Sequence, residues 1–401
     1  MMPEPLGIDG YSLMCGHDRA VMLAELKLSP EGEPLDLEIS LKRVNVAANL
    51  IYEDCEALFD PDFIGSYEKS GYPGRPEQPG QPVQPEQAEQ NQQAPQVQQD
   101  LQAQQNHQGQ QSGSDGQNKQ GPQGEHKLNP AEPYREMLTL ALTLGEKLQD
   151  QRISRGAVVI KRSEPKIVLK EKNNQIYVEV LAEKAPDQAQ MLIGEFMVLL
   201  NASIAKKAAE WNLPLIYRTQ HVTLPKEYAG IWEKQEDISR IVKAMPPASI
   251  EDIPRPHAGL GLPAYATISS PLRRYTDLFN QGQVLHYIKT GSPLFNQEQL
   301  SSMLPLISAR SEAVNTVQKQ RPRYWKLVYF KQQGDKKWYE AVISEENDLF
   351  VTVSLYNEQL HVRSKRAMFG DKVMLGQHCQ VRIGKVFPLN NEIQLLAVEE
   401  C

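Results

Sequence analysis

Cysteine is scarce in this sequence and poorly placed for chemistry. Its four copies, Cys15, Cys55, Cys379 and Cys401, are scattered, with no CxxC pair and no Cys/His cluster. That spacing indicates neither a zinc knuckle nor a disulfide framework, and it leaves reduced thiols of the kind kept in a cytoplasmic protein. Long apolar runs are missing too: no stretch approaches the roughly 18 residues of a membrane span. The opening Met-Met-Pro-Glu-Pro-Leu has neither the positive region nor the apolar region of a signal peptide. A cytoplasmic location with no membrane partner is therefore expected. Positive charge is also in deficit, with 43 Lys and Arg against 50 Asp and Glu and a formal net charge of −7. Any grip on nucleic acid has to come from a local basic groove, since the molecule as a whole repels phosphate.

What is present is enough for a large core: 401 residues, 40% of them hydrophobic. Length alone predicts two or three domains. Residues 21–28 and 35–46 read as two strands around the turn chemistry of Ser29-Pro-Glu-Gly-Glu-Pro34, and residues 52–58 as a short helix. A hairpin and one helix cannot bury enough surface to stand alone, so they must pack on something later in the chain. Residues 67–128 are dominated by Gln, Pro, Gly, Asn and Ser. Such a segment cannot offset its ordering entropy by burial and is expected to be a disordered insertion.

Residues 130–148 carry a helix pattern, and 157–160, 166–169 and 175–180 read as short strands. Residues 188–211 give the longest helical period, with Met191, Leu192, Phe196, Leu199, Leu200, Ile204 and Ala208 on its expected buried side. Further helices are predicted over 227–244, after Pro271, and over 297–318. Five strand patterns follow, at 338–343, 349–354, 358–362, 378–383 and 392–398, a spacing that suits a small OB-type barrel.

One segment carries chemistry: Pro256-His-Ala-Gly-Leu-Gly-Leu-Pro-Ala-Tyr-Ala-Thr-Ile-Ser-Ser-Pro-Leu-Arg-Arg-Tyr-Thr-Asp-Leu278. Gly259 and Gly261 allow close backbone approach. Ser269-Ser-Pro271 is a plausible helix start, with Arg273 and Arg274 in the opening turn beside amides of partial positive charge. A guanidinium and helix N-terminal amides together suit a phosphate. The same two arginines would equally serve as a surface pair with acids such as Asp277.

That run resembles the signature near the end of the RNB catalytic domain of RNase II/RNase R-type exoribonucleases, with Tyr265, Ser270, Pro271, Arg273, Tyr275 and Asp277 in place. Residues 194–205, then Asn212-Leu-Pro-Leu-Ile-Tyr-Arg218, and Ile307-Ser-Ala-Arg-Ser-Glu-Ala313 resemble other stretches of the domain. Met2-Pro-Glu-Pro-Leu6 with Tyr11-Ser-Leu13 resembles its mid-domain motif, with Tyr11 where the family has cysteine. The resemblance spans nearly everything outside the Gln-rich insertion.

It implies an α+β fold: an RNB-type catalytic-domain remnant with a disordered insertion, followed by a C-terminal OB-type barrel. The expected domains are 1–66, 67–128, 129–322 and 323–401. It also implies a hydrolytic 3′→5′ exoribonuclease that releases nucleoside 5′-monophosphates from single-stranded RNA. By the resemblance Arg273 contacts the scissile phosphate, Glu312 lies close to the catalytic centre, and Glu195 lies near the 3′-terminal nucleotide. Tyr265, Arg274 and Tyr275 are supporting RNA contacts, while His257 reads as structural. In the barrel, Lys336, Lys337 and Trp338 combine charge with a stacking face.

The family's magnesium is held by clustered aspartates upstream of the mid-domain motif. In this chain that motif stands at the start, and no metal ligands are found. Asp54, Asp60 and Asp62, or Glu251 and Asp252, do not reproduce the spacing and read as loop acids. Three expectations remain: a truncated enzyme, one half of an enzyme completed by a second polypeptide, or an inactive RNA-binding or regulatory relative. A weaker fourth is a structural partner organised by the Gln-rich tract.

Overall fold

The computed structural model describes residues 3, 5–60, 129–161, 165–181, 187–370 and 373–399. The chain divides into two units, residues 1–65 with 130–401, and residues 66–129. The expected disordered insertion at 67–128 lies outside the described residues, as do positions 1, 2 and 4 of the opening motif.

The first unit opens with a long antiparallel hairpin, β1 (Asp18–Leu28) and β2 (Pro34–Asn45). Alternation puts Met22, Ala24 and Leu26 with Leu37 and Ile39 on one face, which packs into a shared core. That core is built on α3 (Asp187–Glu210), whose Ile204, Ala205 and Ala208 meet the hairpin and the buried Ala266 and Ile268. Helix α1 (Tyr52–Phe59) is anchored by its buried Glu56. The Glu56 carboxylate accepts from the backbone N–H groups of Gln188 (3.2 Å) and Ala189 (2.8 Å), and so caps the otherwise unpaired amides opening α3. Helix α2 (Arg135–Ser154) lies against α3, with Gly145 letting the two backbones approach at Leu192.

Four short strands and a second hairpin complete this layer. They are β3 (Val158–Ile160), β4 (Lys166–Lys172), β5 (Gln175–Leu181), β6 (Tyr217–Thr219), β7 (Gly230–Trp232) and β8 (Ser249–Glu251). β3 pairs with β7 in parallel; β4 with β5, and β6 with β8, are antiparallel. The helix expected over 227–244 is confined to α4 (Gln235–Ala244), because residues 230–232 are drawn into the ladder with β3.

Helix α5 (Tyr275–Thr290) begins four residues later than Pro271. α6 (Gln297–Gln333) opens with a capping box between Asn296 and Gln299 and runs far past the expected end at residue 318. It contains Pro305 and Pro322, each of which removes one helical hydrogen bond. Packing offsets that loss: Leu327, Tyr329 and Phe330, beyond Pro322, are buried in the barrel core. The expected boundary between residues 322 and 323 thus falls inside a continuous helix. Gln332 ties the same helix to β5, accepting from Val178 N–H (3.0 Å) and donating to the Ile176 carbonyl (2.7 Å).

The last five strands are β9 (Trp338–Glu346), β10 (Phe350–Leu355), β11 (Leu360–Lys365), β12 (His378–Phe387) and β13 (Glu392–Glu399). All neighbours are antiparallel, in the order β11-β10-β9-β12-β13. β11 and β13 come into contact and nearly close the barrel. Tyr339, Ala341, Ile343, Val351, Val353, Leu355, Val381 and Ile383 point inward, at every second position of their strands. No described helix is long and apolar enough to cross a membrane.

Candidate functional site

The segment from His257 to Asp277 is held by backbone contacts that require its residue types. Gly259 N–H donates to Gln220 Oε1 (2.7 Å). Gly261 has φ +64, and a Cβ there would lie 2.8 Å from the Arg152 carbonyl oxygen. Only glycine satisfies both demands. His257 is half-buried and edge-on to Tyr265 at 5.9 Å between ring centroids. Burial, then the nearby Arg218 charge, lower its pKa from the usual 6.5 to about 4, so the ring is neutral near pH 7.

Past Gly261 the chain runs extended across α3. Asn201, itself buried, accepts from Ile268 N–H (3.0 Å) and donates to the Tyr265 hydroxyl (3.0 Å). Tyr265 is therefore pinned through its phenol and also through its carbonyl, which accepts from Arg218 N–H (2.8 Å). Residues 271–273 then form a turn, and the N–H groups of Arg273 (3.3 Å) and Arg274 (3.0 Å) both donate to the Ser270 carbonyl.

The helix does not start at Ser269-Ser-Pro271 as expected, and neither serine hydroxyl caps it. The N-cap is Arg274, in extended conformation and without a side-chain cap bond. The local device is an acid from inside the helix: Asp277, 0% exposed, folds back onto the loop. Its Oδ2 accepts from Ser270 N–H (2.9 Å) and from Arg274 (2.7 Å), and its Oδ1 from Thr267 (2.8 Å) and Thr276 (3.2 Å). Pro271 disfavours helical backbone at Ser270, which keeps that residue in the loop where its N–H can reach the acid.

The two arginines are thereby separated. Arg274 is turned inward to Asp277 and Ser269, as the surface-pair reading anticipated for one of them. Arg273 is exposed, and no carboxylate among the described residues pairs with it. Tyr275 is exposed at the start of α5.

Glu195 lies elsewhere in this layer. It is buried on α3 in a two-pronged ion pair with Arg152, Nε to Oε2 at 2.7 Å and a terminal nitrogen to Oε1 at 2.5 Å. Gln149 approaches the same carboxylate at 3.5 Å. Phe196, expected on the buried side, is exposed instead, because turning Glu195 toward Arg152 rotates the neighbouring position outward. The pair forms part of the wall of a cavity of about 490 Å³ between the β1–β2 turn, α2 and α3. Glu312 stands on a stretch of α6, residues 312–321, in which every residue is exposed. Among the described residues no hydrogen bond or ion pair joins Arg273, Glu195 and Glu312 to one another.

In the barrel Lys336 and Lys337 are both exposed, and Lys337 donates to the Tyr329 hydroxyl (3.3 Å) and lies over the Tyr339 ring at 4.9 Å. Tyr339, next to Trp338 in the chain, is core; burial pushes its phenol well above the ordinary range. Trp338 is covered by the Arg382 guanidinium at 5.0 Å, and Phe350 by Arg363 at 4.1 Å. The last two pairings were missed from sequence, since cross-strand neighbours are fixed by register rather than by spacing along the chain. Arg152 was missed for a similar reason: it stands 43 positions from Glu195.

Among the described residues no group of three or more His, Cys, Asp or Glu side chains is gathered to hold a metal ion. Glu251 pairs with His221 (3.4 Å) and Arg255 (3.6 Å), and Asp252 accepts from Gln297 (3.0 Å), so both serve loop contacts. The described residues do not fit a magnesium centre of the expected kind.

The RNB domain profile matches residues 1–290, which include the whole loop just described. The chain belongs to the RNB domain family. Its curated relatives include an uncharacterised ribonuclease of Synechocystis, 27% identical over 65% of this chain and 40% of the relative. Ribonuclease R of Thermotoga maritima is 28% identical over 44% of this chain and 29% of its own length. Among solved structures, RNase R of Mycoplasma genitalium matches with TM-score 0.66 and 14% identity, over 98% of this chain and 60% of that one. That enzyme has also been solved with single-stranded and with double-stranded RNA. Yeast Ssd1, a pseudonuclease, shares the fold with TM-score 0.53 and 11% identity, over 96% and 44% of the two chains. The chain thus spans less than two thirds of the length of each of these relatives, and the RNB fold is what it shares with them.

Proposed function

We propose that this RNB-family chain grips RNA for a hydrolytic 3′→5′ exoribonuclease of the RNase II type, acting in the cytoplasm and releasing nucleoside 5′-monophosphates. One observation carries the reading: Arg273 is an exposed, unpaired guanidinium on a turn whose two flanks, Ser270 and Arg274, are bound by Asp277, inside the family's matched segment. A charge held in this way suits the developing charge on a phosphodiester. Glu312, solvent-facing on α6, is the second group assigned to the reacting end, and Tyr275 is a supporting contact. The barrel adds two guanidinium-covered rings for single-strand contact, Phe350 with Arg363 and Trp338 with Arg382, and the exposed Lys336 precedes Trp338 in the chain.

Magnesium belongs to this chemistry at the level of the family, and in this reading its acidic ligands come from outside the described residues, as from a second polypeptide. The want of a gathered acid cluster among the described residues supports a second reading, an inactive RNA-binding or regulatory member. The two are separated by mixing the purified chain with 3′-labelled single-stranded RNA and magnesium, with Arg273→Ala alongside. Binding without release, weakened by the substitution, is expected for the isolated chain. Magnesium-dependent release that the substitution abolishes would show a complete active site within it. Equal binding by both proteins would refute the role of Arg273.

A further inference from the structure

We propose that Asp277 is the positioning residue for Arg273: its carboxylate sets where the phosphate-gripping guanidinium is presented, without touching RNA itself. This rests on the reading of Arg273 given above. Arginine loses considerable rotamer freedom when it engages an anion, so its usefulness depends on how firmly the backbone beneath it is held. The backbone beneath Arg273 is a turn with no regular secondary structure, and residues 271–273 supply no side-chain bond that would hold it.

What holds it is one carboxylate. Asp277 receives donors from both sides of the turn: Thr267 and Ser270 before it, Arg274 and Thr276 after it. Ser270 completes the link, for its N–H is bound by Asp277 while its carbonyl receives the N–H of Arg273. The chain of contacts from acid to guanidinium-bearing residue is therefore two hydrogen bonds long. Asp277 also removes the competing charge, since it draws Arg274 inward (2.7 Å) and leaves Arg273 as the exposed member of the pair. Asn280 and Gln281 hold the far end of the same segment, through the carbonyls of Thr267 (2.9 Å) and Ile268 (3.1 Å). Neither reaches the turn that bears Arg273.

Asparagine at position 277 keeps the shape but removes the charge: Ser270 N–H and Arg274 share Oδ2, so both bonds are lost if the amide nitrogen takes that side, and Arg274 loses its ion pair in either orientation. The test is a double-mutant cycle on the full chain, read by equilibrium binding of a fluorescent single-stranded oligoadenylate and, separately, by thermal melting. Asp277→Asn is expected to weaken binding about tenfold, the scale of one displaced charge-assisted contact. In an Arg273→Ala background the same change is expected to leave affinity unaltered, while the loss in melting temperature is the same in both backgrounds. A purely structural acid would lower melting and leave affinity of the folded protein unchanged, or weaken binding equally with and without Arg273; either result overturns the proposal. Unchanged binding by Arg273→Ala alone would instead remove the reading on which it rests. If Asp277→Asn does not fold, Thr267→Val removes a single donor to Asp277 and is read in the same cycle, with a smaller loss expected in the Arg273 background only.

Discussion

Removing either half of the Arg152–Glu195 pair should be costly, and removing both should not. The guanidinium and carboxylate side chains are only 11% and 5% exposed and meet at 2.5 Å through one of two prongs. At 2.7 Å, the other prong, and an effective dielectric near 20, their attraction is roughly 6 kcal/mol. Withdrawing two ions from water costs several kcal/mol for each, so the net contribution of the intact pair is close to zero. A single truncation leaves the second charge buried without its partner. Arg152→Met is therefore expected to destabilise by about 3–5 kcal/mol, and Glu195→Leu by a similar amount. The double replacement should return to within about 1 kcal/mol of the starting protein or exceed it. Urea denaturation of the four proteins at neutral pH measures the coupling. A loss below about 1 kcal/mol for Arg152→Met, or additive losses in the double variant, would refute this account. Oligonucleotide binding by folded Glu195→Gln then reveals whether the carboxylate also meets RNA, as the family resemblance implies.

The depressed pKa of His257 makes stability fall with acid. Its folded value is about 4 against 6.5 unperturbed, so between those pH values the unfolded chain binds more protons than the native one. Stability is complete above about pH 6.5 and declines toward pH 4, by roughly 1–2 kcal/mol after allowance for the ring's partial exposure; His257→Gln should flatten that part of a denaturation–pH profile. Gly261→Ala should cost about 1–3 kcal/mol in chemical denaturation, from positive φ and the clash with Arg152. Gly194→Ala, in open space on α3, should instead stabilise by about 0.5–1 kcal/mol. Glu56→Ala uncaps α3 and should cost about 1–2 kcal/mol, with α1 becoming more susceptible to limited proteolysis.

Much of the fold was legible because its signals are local. Turn residues 29–34 flank two alternating patterns, and the hairpin is there, with ends displaced by a few residues. The period over residues 188–211 gave α3 almost to the residue. Five alternating patterns gave the five barrel strands, since side chains on opposite faces meet opposite solvents. Failures arose where a distant contact outweighed the local signal. Pro322 reads as a stop, yet α6 continues because the barrel buries Leu327 and Phe330. Residues 230–232 read as helix, yet β3 claims them.

The sequence by itself determined the family and the identity of the loop, because the run from Pro256 to Leu278 needs particular residue types at each step. It also determined that two arginines, and not one, stand beside a helix start. Only the tertiary structure decided which of the two faces solvent, because Asp277 reaches back across the turn to take Arg274. It alone decided that Glu195 is buried beside Arg152 while Phe196 is exposed, and which barrel rings lie inside. Those choices depend on partners brought near by folding, from positions that no periodicity along the chain connects.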